Sequence, residues 1–281
     1  MEFVAVAAVE KEHLKSADNN TSLDISAGVK YQSSLSPLPW PKTRPLPLSL
    51  ELALLPLLIN HKQELGSFCF QPNHRLPPIL AFCQRNNCFL YQALSLRRHH
   101  IKLRNKYKTD QQLNMGTNTQ KLQAAVAFEK TVSKYLDDNG VNYLTEDQQR
   151  EEWDLKIKQN GGFLPGPHPG TPDFRFDPPL PILDPDTGEV RMICWLEVKH
   201  FYGASSIPTD GKSACGRIPE ISDRYTASFG VGALLFAYGV GDELLRKLNG
   251  TIILDESILD MEDTLREMGK FCRRRDGQIL P

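Results

Sequence analysis

Beyond residue 120 the apolar and polar positions fall into regular periods; before it they do not. In LQAAVAFEKTVSKYLDDNG, Leu122, Val126, Val132 and Leu136 recur at near-helical spacing and alanine fills the gaps. The spacing predicts a helix that stops at Asn139-Gly140. VNYL (141–144) reads as a short strand, and Thr145 followed by Gln148 forms a capping-box pattern that opens a second helix through about Ile157. GGFLPGPHPG (161–170) is a loop. Strand-like runs follow at about 172–177 and 191–199, joined by DPDTGE (184–189), whose Pro, Asp and Gly are turn residues. GRIPEISDRYTAS (216–228) predicts a helix, GVGALLFAYGVG (230–241) a buried strand, DELLRKL (242–248) a short helix and TIILDES (251–257) a strand. Residues 257–274 have the pattern of an amphipathic helix with acid in its first turn and base in its last, which matches the helix dipole. Helices and strands that alternate in this way predict an α/β fold, a central mixed sheet flanked by helices, over 118–281.

The first part of the chain gives a different pattern. Residues 1–48 are polar and then proline-rich, with Pro37, Pro39, Pro41, Pro45 and Pro47 nearly alternating, and read as a linker or disordered segment. From 49 to 117 apolar patches are broken by Pro72, Pro77 and Pro78 and end in a basic run, RRHHIKLRNKYK (97–108); this predicts a partly helical segment. That run reads first as a solvated helix face, and otherwise as a phosphate contact or nuclear import signal.

Composition narrows the class. A chain of 281 residues with 40% hydrophobic content can build a real core, and a formal net charge of -1 means that any nucleic-acid partner must meet a local basic surface. Six cysteines at irregular spacing, after an N-terminus without a signal-peptide pattern, read as reduced thiols of a nuclear or cytoplasmic protein. LPLSLELALLPLLI (46–59) contains Glu51 and Pro56 and is shorter than the ~20 apolar residues a bilayer span needs, so no membrane is expected.

The chemistry concentrates in GTPDFRFDPPLPILDPDTGEVRMICWLEVKHFYG (170–203). Strand side chains alternate, so Trp195, Glu197 and Lys199 share one face and Cys194, Leu196 and Val198 the other. Pairing of the two predicted strands brings Asp173 to the face of Glu197 and Lys199. Two adjacent carboxylates repel unless a cation lies between them, and a hard divalent ion is the natural answer. Magnesium is habitually held by one or two carboxylates plus phosphate oxygens and water. Phosphodiester hydrolysis is the reaction this suggests, with Asp173 and Glu197 as metal ligands and Lys199 beside them.

Thr171-Pro172-Asp173 and Glu197-Val198-Lys199 resemble the PD-(D/E)XK nuclease motif. The spelling TPDF, then ICWLEVKHFYG and FGVGALLFAYG, is similar to the codanin-interacting nuclease family, or TPD-domain proteins, over roughly 120–256. The resemblance implies a restriction-endonuclease-like core and cleavage of duplex or branched DNA that depends on Mg2+ or Mn2+. In it Asp173 and Glu197 are ligands, Lys199 is the water-positioning or charge-stabilising group, and an acid on the first core helix matches Glu129 by position. Many such nucleases also carry a glutamine on the helix after the third strand; residues 200–240 contain none, and Arg224 or Lys212 could at most substitute. That departure and the neutral net charge support an alternative, an inactive nuclease scaffold with a codanin-like protein partner; a third option is a nucleic-acid binder that does not cleave, which predicts strongly salt-dependent association.

Other polar residues have simpler readings. Cys69, His74, Cys83, Cys88, His99 and His100 lack the regular spacing of a structural zinc site. His168 and His200 flank the motif with no partner evident in sequence. Phe174, Trp195 and Tyr202 read as core.

Overall fold

The computed structural model describes residues 36–59, 76–104, 118–163, 168–209 and 213–269. It is an α/β protein built on one curled mixed sheet. Strands β1 (Leu38–Pro39), β2 (Leu144–Thr145), β3 (Phe174–Leu183), β4 (Val190–Lys199), β5 (Ala233–Phe236) and β6 (Ile252–Leu254) form it, in the order β1-β3-β4-β5-β6, with β2 pairing beside β1 on β3. β3 and β4 are an antiparallel hairpin; β1 with β3, β4 with β5, and β5 with β6 are parallel. Every residue of β5 is buried, as expected of a parallel strand covered on both faces.

The hairpin turns where DPDTGE predicts it. Asp184 Oδ2 accepts from Thr187 Oγ1 at 2.9 Å, its Oδ1 accepts from Asp186 N–H at 3.1 Å, and Gly188 takes the left-handed conformation at φ 73°. β3 runs to Leu183, past the predicted end at 177, in spite of Pro178, Pro179 and Pro181. Pro178 and Pro179 fall where the register with β4 shifts between Arg175 and Leu180, so they remove no regular ladder bond. β2, β5 and β6 are shorter than the runs that predict them.

The helices are α1 (Leu48–Ile59), α2 (Leu76–Asn86), α3 (Leu90–Arg104), α4 (Asn118–Asp138), α5 (Glu146–Gln159), α6 (Ile218–Phe229), α7 (Asp242–Arg246) and α8 (Glu262–Gly269). The predicted capping box forms at α5: Gln148 N–H donates to Thr145 Oγ1 and Thr145 N–H to Gln148 Oε1. α4 forms, but its buried stripe is Ala124, Phe128, Val132 and Leu136. Leu122 is 64% exposed and Val126 39% exposed, one phase off the core. The predicted C-terminal helix begins only at Glu262, because Glu256–Ile258 form a 3-10 turn capped by Asp255.

Two expectations about the first half need correction. The proline-rich stretch from 36 is not a linker: β1 pairs with β3, Trp40 is fully buried with its Nε1 donating to Asp255 O at 2.9 Å, and Leu46 bridges to Gly241. An extended proline-rich strand suits a sheet edge, where only alternate backbone groups need partners. Nor does the fold begin at 118. Leu54, Leu58, Ile79 and Leu96 of α1 to α3 belong to the same core as β4 and β5. Glu51 on α1, fully buried, accepts from Tyr202 Oη at 2.7 Å and from Ser205 and Ser206 N–H at 2.9 Å each, tying α1 to the segment after β4. No helix among the described residues is long and apolar enough to cross a membrane.

Candidate functional site

The β3–β4 register pairs Phe174 with Leu196, which puts Asp173 opposite Glu197. The three motif side chains converge. Asp173 N–H donates to Glu197 Oε2 at 3.2 Å, Val198 N–H donates to Asp173 Oδ2 at 2.6 Å, and Lys199 Nζ bonds Glu197 Oε1. Glu197 is buried, Asp173 and Lys199 half-buried. The core assignments of Phe174, Trp195 and Tyr202 hold, as all three are buried.

This packing sets the protonation. Burial first, then the charge of Glu197, pushes the Asp173 carboxyl up to about 8, against pulls downward from Lys199 and the Val198 N–H. Burial alone would lower Lys199, but Glu197 and Asp173 outweigh it, so the ammonium is held above its ordinary range. At neutral pH the cluster therefore holds a protonated Asp173 beside a Glu197–Lys199 ion pair. It is an acidic site one negative charge short of full ionisation, the proton on Asp173 standing in for a cation.

Glu129 lies on α4, exposed, and desolvation by its surroundings, then Glu146 and Glu197, raise its carboxyl. Glu146 is new relative to the sequence reading. It opens α5, pairs with Arg150 at 2.5 Å, and acts electrostatically on both Glu129 and Lys199. Its only signal in the sequence is its place after the capping threonine.

Two further groups hold the Asp173 segment, and neither is apparent from the sequence. Gln149 on α5 is buried and its Nε2 donates to both Leu144 O and Pro172 O at 2.9 Å. Tyr225 on α6 donates its hydroxyl to Thr171 O at 3.0 Å, and burial, then Glu197, raises its pKa. Gly170, at φ 87°, lets the chain pass: a Cβ there would meet the Tyr225 ring at 2.8 Å. The Thr-Pro-Asp turn is thus gripped from two helices.

Arg224 on α6 is exposed and its guanidinium lies against Gly170; Lys212 lies outside the described residues. Over 97–103 the basic run is mostly packed against the protein and does not form a solvated face. Arg97 is buried with Nε donating to Leu58 O at 3.2 Å, His99 contacts Tyr202 O, and His100 contacts Ser206 Oγ. Residues 105–108 of the run, and Cys69 and His74, lie outside the described residues. Cys83 and Cys88 are buried thiols. His200 bonds Tyr238 Oη at 2.7 Å and burial pushes it down to about 3, while His168 Nδ1 accepts from Gly170 N–H at 2.9 Å.

A family model described as a protein of unknown function with a TPD sequence motif matches residues 95–257, more than half of the chain and all of the site. The chain belongs to the TPD family. The match starts inside α3, in keeping with the contacts that join α3 to Tyr202. No curated protein and no solved structure matches the chain.

Among the described residues no group of three or more His, Cys, Asp or Glu side chains is arranged to hold a metal. The donor set is a pair, Asp173 and Glu197, with Glu129 and Glu146 behind it. A pair fits an ion that keeps most of its water and takes phosphate oxygens, as magnesium does. The raised Asp173 is the observation that favours a cation there, because a divalent charge would replace its proton.

Proposed function

We propose that this TPD-family protein is a metal-dependent nuclease that hydrolyses DNA phosphodiester bonds, with a core of the restriction-endonuclease-like, PD-(D/E)XK type. The observation that carries the reading is the convergence of Asp173, Glu197 and Lys199 from neighbouring strands, with two more acids beside them. A structural salt bridge explains this poorly. A buried ion pair adds little stability after desolvation, and a second carboxyl raised to about 8 subtracts from it.

Asp173 and Glu197 are the residues that would hold Mg2+ or Mn2+, which when bound polarises a phosphodiester and activates water. Lys199, kept charged by its two acidic neighbours, stabilises negative charge that develops on the phosphoryl oxygens. Gln149 and Tyr225 fix the carbonyls of Pro172 and Thr171 and so the approach of Asp173. Positioning on this scale matters, since a shift of about 1 Å can cost on the order of a hundredfold in rate.

The test is incubation of the full chain with labelled linear, flapped and four-way DNA, each with Mg2+, Mn2+ or EDTA. Cleavage that needs the metal and disappears in Glu197→Ala supports the reading. Cleavage retained in that variant refutes it.

A second reading, a nuclease-like scaffold that binds a codanin-like partner without cleavage, is favoured by one observation. Both Glu197 oxygens are already engaged, by Asp173 N–H and Lys199, and α6 offers Arg224 where a glutamine would be expected. Failure of every substrate to be cut, with no Mg2+ bound in a titration, would select it.

A further inference from the structure

The segment that delivers Asp173 also walls a cleft of about 460 Å³. Gly170 and Thr171 form that wall; Gln149, Trp153 and Lys156 come from α5, Arg175 from β3 and Phe229 from the end of α6. The volume lies within the roughly 300–1,000 Å³ of small-ligand sites and, like them, the cleft combines aromatic surface with a few placed polar groups. It suits one nucleotide and is too small for a duplex.

Each wall offers a group that nucleotides use. Trp153 is half-exposed, while Trp40 and Trp195 are fully buried, so it is the chain's one tryptophan able to take a base on its ring. Lys156 is exposed and has no ion pair among the described residues. His168 contacts the Trp153 ring edge-on at 4.8 Å, and because its Nδ1 accepts from Gly170 N–H, its Nε2 carries the ring proton outward as a donor. Arg175 is already neutralised by Glu152 at 2.5 Å and lies 5.9 Å over Phe229, so it shapes the cleft and does not charge it. The carbonyl oxygen of Gln149, 4% exposed, has no donor, although both of its amide hydrogens are used. An orphan acceptor of this kind is rare in a folded protein.

We propose that this cleft binds one unpaired deoxynucleotide of the substrate strand, with the base stacked on Trp153, its edge donating to Gln149 Oε1, and its phosphate met by Lys156 and His168 Nε2. The location next to a cut phosphate rests on the nuclease reading; the nucleotide site itself does not. Arg175 and Asp173 are two residues apart along an extended chain, about 6.7 Å, so cleft and acidic cluster are separated by a short stretch of strand. The preference that follows is for DNA with a single-stranded segment, such as a flap or splayed branch, over uninterrupted duplex.

Intrinsic fluorescence reads this without catalysis. In EDTA, a single-stranded thymidine octamer should quench the full chain's emission, and Trp153→Phe should remove the quench. Trp153→Ala should weaken octamer binding, followed by anisotropy of a labelled strand, roughly 5- to 100-fold, and Lys156→Ala should flatten its salt dependence while leaving the quench in place. Absence of a quench, a quench unchanged in Trp153→Phe, displacement by inorganic phosphate as readily as by dTMP, or a response to dTMP and none to the octamer would each overturn the proposal. Quench and cleavage followed side by side on the unsubstituted chain, in EDTA and in Mg2+ respectively, separate it from the nuclease reading. A quench without any cleavage leaves the cleft and removes the nuclease, whereas cleavage without a quench does the reverse.

Discussion

Replacing Asp173 by Asn tests the electrostatics of the site without any substrate. In the folded protein burial and Glu197 hold the Asp173 carboxyl at about 8, against an ordinary 3.8. A group raised on folding keeps a proton that the unfolded chain has released. Its contribution is therefore whole below the unfolded value and is lost as pH climbs towards 8. At about 1.36 kcal/mol per unit, the loss between pH 5 and pH 7 comes to roughly 3 kcal/mol. Asn keeps the shape, and its Oδ1 can still accept from Val198 N–H, but it does not titrate. The stability of Asp173→Asn minus that of wild type, from urea unfolding in EDTA followed by far-UV circular dichroism, should rise by roughly 3 kcal/mol from pH 5 to pH 7. Glu256, raised to about 7 by burial, titrates in both proteins and cancels in the difference. Saturating Mg2+ at pH 7 should stabilise wild type, with release of a proton, and leave the variant nearly unmoved. A difference that stays flat across this range refutes the buried, repelled carboxyl and with it the reason for a cation.

Glu51→Ala strips three donors of a buried acceptor and should cost about 3–5 kcal/mol in urea unfolding; a loss under about 1 kcal/mol would mean the Tyr202–Ser206 segment is held by other contacts. Gly232→Ala places a Cβ within 2.4 Å of three atoms of the Trp195 indole, a ring fixed by its bond to Gly230 O, and should cost about 3 kcal/mol. Gly140→Ala, in open space at φ 67°, should cost about 1 kcal/mol, so equal melting temperatures for the two variants would contradict the packing described. His99 and His200 are both pushed down to about 3 by burial, so their ring resonances in NMR should not titrate between pH 5 and pH 8.

The parts of the fold legible in the sequence are those set by neighbours along the chain. Alternation along β4 puts Glu197 and Lys199 on one side whatever surrounds them, and a turn as explicit as DPDTGE returns β3 alongside, so the approach of Asp173 follows from two strands alone. The capping box at Thr145 is equally local. Hydrophobic periodicity, by contrast, fixes that α4 is a helix but not its phase. Leu122 and Val126 make as good a stripe on paper as Ala124 and Phe128, and only the approach of β4 and α8 decides between them. Proline content misleads at 36–47 for a related reason: polyproline geometry and an edge strand share their backbone, and the distinction lies in whether Trp40 finds a pocket.

The same division runs through the candidate site. Its reactive groups come from the hairpin, but the groups that hold them come from elsewhere: Gln149 and Glu146 from α5, Tyr225 from α6, and Glu51 from α1, fixing the loop that follows Lys199. Gln149 reads in sequence as a polar residue after the capping-box Gln148, and nothing local marks it for burial. Buried against Pro172 O, it becomes the contact through which α5 controls where Asp173 lies, and its unused, buried oxygen belongs to a side chain that also lines the cleft. One side chain therefore touches both the segment proposed to carry the metal ligand and the space proposed to carry a nucleotide. Gln149→Leu, close in size and without the amide, should release Pro172 and weaken Mg2+ binding and octamer binding together, whereas Trp153→Ala should weaken only the octamer. If Gln149→Leu lowers octamer affinity and leaves Mg2+ binding intact, the grip on the Thr-Pro-Asp turn belongs to Tyr225 alone.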